Sequence, residues 1–341
     1  MSKVKILSID GGGIRGIIPA VILCAIENGI RAKKGDSARL ADHVELVAGT
    51  STGGIITCGM LIPNPSDPKQ ARYTMEEVLD IYMQRGKDIF SRTARHKFRT
   101  LGGLTDEKYE ATGLEEALEE KFGATKLSEL LRPCLITAYD IRYRKTVFFG
   151  SHKTDDGQNK GRDFLVQDVA RATSAAPTYF EAANIASLAG VHHALIDGGV
   201  FANNPAMCAY AEARGMTLGG IERPTAKDMY MVSIGTGTVK KEYPYAKAKD
   251  YGMMEWVKPV IDIMMSGNSE TVSYQLEKLF GAGGNPSGYI RIEPELHNAS
   301  PDMDDASPEN LAALKEAGNK FVSDNHHVIR SIVDELLQET P

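Results

Sequence analysis

The chain has 341 residues, 45 of them acidic and 39 Lys or Arg, which gives a formal net charge of −6. That balance argues against a general nucleic-acid binder, which needs a basic footprint. A charged share of 25% beside a hydrophobic share of 42% argues against a mainly disordered or fibrous chain. At this length about three quarters of the unfolded surface can be buried, so a large core is available without staples. Cys24, Cys58, Cys134 and Cys208 lie far apart in apolar or small-residue runs with no CxxC pair, the pattern of buried reduced thiols and not of a zinc site. The longest uninterrupted apolar run, Ile17 to Ile26, is about half of the ~20 residues a membrane span requires. Lys3 and Lys5 precede only a short run, Ile6 to Ile9, so the opening residues lack a signal-peptide h-region, and a cytoplasmic protein is the expectation.

In chain order, Lys3–Ile9 predicts a buried strand and Ile14–Ala32 the helix after it, an α/β opening. Val44–Ala48 predicts a second strand, followed by a turn at Gly49–Gly54 and a helix through Leu61. Pro63, Pro65 and Pro68 predict a loop, Tyr73–Ile89 and Leu114–Phe122 predict helices, and Cys134–Tyr139 and Thr146–Phe149 predict strands around a turn at Arg142–Lys145. Phe164–Ala172 reads as a helix and Leu195–Ile196 as a brief strand running into Asp197-Gly198-Gly199. Asn203-Asn204-Pro205 opens another helix with Asn as its cap. Met229–Ile234 reads as the last strand, and Met254–Met265, Ser269–Phe280 and Pro308–Leu337 as helices. There are no repeats and no low-complexity linker, so a single α/β unit is expected, with a core over about 4–240 and a helical C-terminal part over about 250–340.

Gly49-Thr50-Ser51-Thr52-Gly53 fits G-x-S-x-G between a predicted strand and a predicted helix, the setting of a nucleophile elbow. Small residues permit the tight turn that lifts the hydroxyl clear of the sheet, and the helix N-terminus beyond it favours negative charge. Asp10-Gly11-Gly12-Gly13-Ile14-Arg15-Gly16 ends the first strand, and three successive glycines let backbone N–H groups face a cavity, as an oxyanion hole requires. Gly11, Gly13 and Gly16 also satisfy G-x-G-x-x-G, so a non-catalytic nucleotide-binding module is a second reading. That reading asks for an acidic residue at the end of the next strand, and its only near candidate, Asp36, sits in the loop-like Lys33–Ser37.

Ser51 needs a base. In a Ser-His-Asp carboxylesterase His297, His326 or His327 would serve, although all three lie in polar segments. Asp197 follows a short apolar run and is flanked by glycines that allow close approach of another loop; on its own a D-G-G sequence is often only a turn. His192 and His193 precede it closely and read as strand or loop residues.

These motifs, in this order, resemble the patatin-like phospholipases. Ala38–Asp42, Ser174–Phe180, Ser233–Thr238 and Met303–Ser307 also look like plant-type patatins, so the resemblance runs from about residue 4 to about 320. Plant patatins usually carry Asp-Gly-Ala where this chain has Asp197-Gly198-Gly199, a variation within the wider family. The resemblance implies a three-layer α/β/α sandwich with a mostly parallel central sheet, related to the cytosolic phospholipase A2 catalytic domain. It implies a Ser-Asp dyad of Ser51 as nucleophile and Asp197 as base, with Gly11, Gly12 and Gly13 as oxyanion donors and Arg15 fixing their loop. The implied activity is lipid acyl hydrolysis of a phospholipid or galactolipid through an acyl-enzyme, at a peripheral membrane surface. Neither metal nor cofactor is required, and Asp302, Asp304 and Asp305 lack EF-hand spacing. A homodimer and a gating activator are left open. Arg85–Arg99 holds six basic residues against Asp88, with Phe90 and Phe98 among them, which suits either a membrane-facing segment or a solvated helix end.

Overall fold

The computed structural model describes residues 3–89, 111–154, 160–238 and 242–338. Its central sheet has eight strands: β1 (Val4–Ile9), β2 (Leu46–Thr50), β3 (Cys134–Asp140), β4 (Lys145–Phe149), β5 (Ala183–Ala186), β6 (His192–Asp197), β7 (Met229–Ile234) and β8 (Tyr289–Ile292). The order is β8-β7-β1-β2-β3-β6-β5, with β4 also on β3. Strands β8, β7, β1, β2 and β3 run parallel, while β4 and β6 are antiparallel to β3 and β5 is antiparallel to β6.

The parallel strands are apolar on both faces because helices cover both. Along β1, Val4 and Ile6 enter one core and Leu7 and Ile9 the other, and β2 and β7 alternate in the same way. The larger core packs α1 (Ile17–Lys34), α2 (Thr52–Leu61), α3 (Met75–Ile89), α4 (Thr112–Phe122) and α5 (Val166–Thr173) on one face of the sheet, together with α8 (Pro308–Asp324) and α9 (His326–Leu336). The opposite face is covered by α6 (Ala206–Ala213) and α7 (Met253–Ala282), with Val272, Leu276 and Phe280 of α7 buried beside Met229 and Met231. The fold is the expected three-layer α/β/α sandwich.

The C-terminal part is not purely helical. Strand β8 extends the sheet beyond β7, so Met229–Ile234 is not the last strand, and α8 and α9 pack directly on α1. Met254–Met265 and Ser269–Phe280 form one helix, α7, which runs through Pro259. Residues 308–337 divide at Asn325 into α8 and α9, and β5 and most of β6 exceed the brief strand expected. Residues Gly13–Lys34 are long and apolar enough to cross a membrane, with a mean hydropathy of 1.5, yet 78% of that window is buried and it is the core helix of the larger layer. Cys58 and Cys134 are buried, Cys24 and Cys208 half-buried, and all four are unpaired.

The junction between β2 and α2 is a single residue, Ser51, and it works because two backbones touch. A Cβ on Gly53 would lie 2.2 Å from the Ile9 carbonyl oxygen, and one on Gly49 would lie 2.3 Å from the Gly53 carbonyl oxygen. A Gly53→Ala change therefore forces α2 away from the end of β1 and should cost about 1–3 kcal/mol in urea unfolding. By contrast Gly267→Ala, inside α7 with nothing within 4 Å of its Cβ, should gain about 0.5–1 kcal/mol from helix propensity alone. Equal effects of the two changes would contradict this packing.

Candidate active site

The site lies at the C-terminal ends of β1, β2 and β7, where ligands bind in open α/β sheets. Ser51 adopts φ 55° and ψ −122°, a strained conformation for a residue with a side chain. Hydrogen bonds hold it there. Its N–H donates to Thr173 Oγ1 (2.9 Å), whose hydroxyl donates to the Thr137 carbonyl (2.7 Å). Its carbonyl accepts from the N–H groups of Gly54 and Ile55 in the first turn of α2. The preceding Thr50 hydroxyl donates to the Ala202 carbonyl and meets the Thr137 hydroxyl, each at 2.7 Å.

Asp197 reaches Ser51 through strand register. Thr50 of β2 pairs with Thr137 of β3, and the next residue, Ala138, pairs with Asp197 of β6. Strands β2 and β6 thus meet end to end along one edge of β3, because β4 occupies the other. The Asp197 carboxylate accepts the Gly199 N–H at 2.7 Å, and the Ser51 hydroxyl beside it favours its charged form. Asp197 is only 4% exposed. Burial pushes its pKa up to about 7, against the Ser51 hydroxyl and the Gly199 N–H, which favour the charged form.

The glycine loop leaves β1 beside Ser51. The Gly11 N–H is committed to the Asn203 carbonyl (3.1 Å), so Gly11 is corrected from donor to structural residue. The N–H groups of Gly12 and Gly13 have no hydrogen-bond partner among the described residues, and both residues line the cavity that holds Ser51 and Asp197. Gly13 needs its positive φ of 59°, and its Cα lies so close to the Met303 carbonyl that a Cβ would sit 2.2 Å from that oxygen. The same carbonyl accepts the Ile14 N–H at 2.8 Å. Arg15 turns inward, with long 3.5 Å contacts from Nε to the Gly12 carbonyl and from Nη1 to the Gly237 carbonyl. Burial lowers its pKa, opposed by the nearby Glu293 carboxylate.

Beneath this loop lies a charge cluster that sequence reasoning missed. Arg291 of β8 forms a two-pronged pair with Asp10, Nη1 to Oδ1 at 2.9 Å and Nη2 to Oδ2 at 2.6 Å, and also bonds Ser233 and Glu293. Burial raises the Asp10 pKa while Arg291 holds it down, and the two acids balance Arg15 and Arg291 in charge. Asn203, Thr137 and Thr173 were missed as well. In the sequence the Asn203-Asn204 pair reads only as a helix cap, and the Asn204 side chain does accept the Ala206 N–H at 3.0 Å.

A cavity of about 170 Å³ surrounds the pair of Ser51 and Asp197. Apolar side chains dominate its wall: Ile14, Ile55, Ile89, Leu114, Phe180, Val200, Ile261, Met264, Met265 and Met303. Among the described residues no histidine lines it and no cluster suited to a metal ion occurs. His297 lies by Glu295, and His326 and His327 open α9 with their rings in contact. His193 is bonded to Asp140 (2.9 Å), and His192 is exposed. Asp36 precedes β2 and its side chain is 99% exposed, so the acidic partner required by the dinucleotide reading is missing from the strand end. Of the basic stretch Arg85–Arg99, Arg85 is ion-paired with Glu120. Arg92, Arg95, Lys97, Arg99, Phe90 and Phe98 lie outside the described residues.

The family model described as patatin-like phospholipase matches residues 7–210. Patatin-like protein 2 of Arabidopsis thaliana is 36% identical over 94% of this chain and 83% of its own length. Probable inactive patatin-3-Kuras 1 of Solanum tuberosum is 31% identical over 95% of this chain and 88% of its own. Among solved structures, human GIVD cytosolic phospholipase A2 aligns with a TM-score of 0.45 at 13% identity, covering 99% of this chain and 60% of that one. With the match extending from β1 through α6 and the relatives spanning nearly the whole sequence, the chain belongs to the patatin-like phospholipase family.

Proposed function

We propose that the protein is a lipid acyl hydrolase that cleaves fatty-acyl esters of glycerophospholipids or galactolipids with a Ser51–Asp197 dyad. One relative is named a probable inactive patatin, so the activity is argued from this chain's own residues. The observation that carries the reading is that Ser51 and the buried carboxylate of Asp197 face one apolar cavity, which also receives two backbone N–H groups unpartnered among the described residues.

In this reading the acyl chain lies along the apolar wall and the ester carbonyl carbon faces Ser51 Oγ. As the Oγ–C bond forms, Asp197 takes the hydroxyl proton, and the carbonyl oxygen gains negative charge toward the N–H groups of Gly12 and Gly13. Collapse of the tetrahedral intermediate breaks the bond to the glycerol oxygen, which receives the proton from Asp197 and departs as lysolipid. Water then attacks the Ser51 ester and gives its proton to Asp197. The second collapse frees the fatty acid and returns the proton to Ser51. A carboxylate of ordinary pKa is a poor base for a hydroxyl, and the burial of Asp197 strengthens it. A Ser-His-Asp carboxylesterase is disfavoured by the absence of a histidine from the cavity wall among the described residues.

Ser51→Ala and Asp197→Asn should each remove at least three orders of magnitude of esterase turnover, and the double variant should lose no more, since the pair acts as a unit. His297→Ala, His326→Ala and His327→Ala should keep wild-type rates; loss in any one as complete as in Asp197→Asn would sink the dyad. Turnover should also be unchanged in excess EDTA, and calcium-dependent recovery after chelation would contradict the scheme.

The pH dependence has a definite sign. Asp197 must be ionised to act as a base, so kcat/KM on a soluble ester should rise through an apparent pKa near 7 and then level. A limb centred near 4 would overturn the base assignment. The folded pKa is raised above the unfolded value, so the folded state binds more protons between them and loses stability as pH climbs from about 4 to about 7. Asp197→Asn removes that loss. Its thermal or urea stability should exceed wild type at pH 8 by at most about 4 kcal/mol, three pH units at 1.36 kcal/mol each, and the gap should close toward pH 4.

A further inference from the structure

The first half of α7 is built the wrong way round for a helix on a water-facing surface. Met253, Val257, Val260 and Met264 follow one another at helical spacing on one face, Trp256 and Ile263 flank them, and all six are exposed. Met253 is 86% exposed and Met264 52%. Toward the other side of the helix, Asp262 accepts a hydrogen bond from the Tyr243 hydroxyl at 2.8 Å. The second half of the same helix behaves ordinarily, burying Val272, Leu276 and Phe280 against the sheet. A contiguous exposed apolar face of this kind marks a binding surface.

The face is continuous with the candidate catalytic cavity. Ile261, Met264 and Met265 of α7 line that cavity, and Met264 belongs to both surfaces at once. We propose that the first half of α7 is the surface by which the protein lies on a phospholipid membrane, with Trp256 at the headgroup level and the methionines and valines among the first acyl carbons. The proposal rests on the reading of the cavity as an acyl-chain site. A protein partner or a second copy seated on this face would cover Met264 and obstruct the cavity it lines, whereas a lipid surface presents there the molecule the cavity is shaped to receive. Aromatic rings with one polar edge favour the lipid–water boundary, and Tyr245, 82% exposed just before the helix, adds a second. Between residues 242 and 255, Lys247 and Lys249 are offset by Glu242, Asp250 and Glu255. Docking therefore works by apolar insertion and does not need an anionic surface.

Trp256 is the only tryptophan in the chain, so its fluorescence reports this face alone. The full chain carrying Ser51→Ala, which leaves vesicles undegraded, is titrated with phosphatidylcholine vesicles. The expected results are a blue shift of Trp256 emission, quenching by acyl-brominated lipid, and less than a threefold change in affinity when anionic lipid or salt is added. In the catalytically intact chain, a Met253→Gln, Val257→Gln, Val260→Gln triple variant should lose at least tenfold in vesicle affinity and in hydrolysis of vesicle lipid. Its turnover of a soluble short-chain ester should stay within twofold of wild type, which also shows that it folds. Unshifted Trp256 emission, or unchanged vesicle hydrolysis by the triple variant, overturns the proposal. So does a wild-type dimer that the triple variant converts to monomer with vesicle binding intact, which would assign the face to a second copy. If neither soluble ester nor vesicle lipid is cleaved by the wild type, the hydrolase reading fails by itself, and the fluorescence titration still decides whether the face enters a membrane.

Discussion

One edge of β3 carries two strands in succession, and the rest of the site depends on that arrangement. Strand β2 arrives in parallel and stops at Thr50, while β6 arrives in antiparallel and stops at Asp197, one β3 residue further on. A strand edge offers a fixed set of N–H and C=O groups, so the spacing between the two strand ends is set by backbone hydrogen bonding and not by side-chain choice. A slip of one residue in either ladder would turn every side chain of that strand to the opposite layer. The meeting of Ser51 with Asp197 is therefore protected by the same packing that builds both cores.

The strained turn at Ser51 and the desolvated carboxylate of Asp197 both cost free energy, of order 1–3 kcal/mol for the backbone alone. They persist because their surroundings leave no relaxed alternative. Thr173 satisfies the Ser51 N–H inside the protein and is itself held by the Thr137 carbonyl, while the close approach of Gly53 to the Ile9 carbonyl brings α2 against β1 with no room for the turn to unwind. The glycine loop is constrained from the other side by the Met303 carbonyl and by the Asp10–Arg291 pair. The loop's free N–H groups are thereby fixed in place before any ligand enters, the condition under which backbone donors contribute most.

Much of this was legible in the sequence, for identifiable reasons. The strand-glycine-helix opening, the elbow at Ser51 and Asp197 at a strand end are local patterns, and each falls where its neighbours predict. Strand β8 escaped because Tyr-Ile-Arg-Ile is short and carries a charge that looks incompatible with a sheet, until Asp10 is found opposite it. Helix α7 reads as two because Ser266-Gly267-Asn268 interrupts its pattern, and β5, Ala-Asn-Ile-Ala, has little strand propensity of its own. The assignment of Gly11 as a donor could not be refined from sequence, because its partner is a carbonyl 192 positions away in number at Asn203. Thr137, Thr173 and Arg291 act through tertiary contacts that no local spacing encodes.

The Asp10–Arg291 pair joins residues 281 positions apart. The N-terminal carboxylate that underlies the glycine loop has its cation only once β8 has been synthesised and has joined the edge of the sheet. Until then Asp10 is a desolvated charge without a counterion, an arrangement that costs several kcal/mol, and the segment around it has reason to stay solvated. A nascent or truncated chain ending before β8 thus keeps its elbow sequence but lacks the electrostatic support for an ordered glycine loop. The competence of the site is tied to completion of the sheet, so the cavity around Ser51 is not assembled in its final form on an unfinished chain.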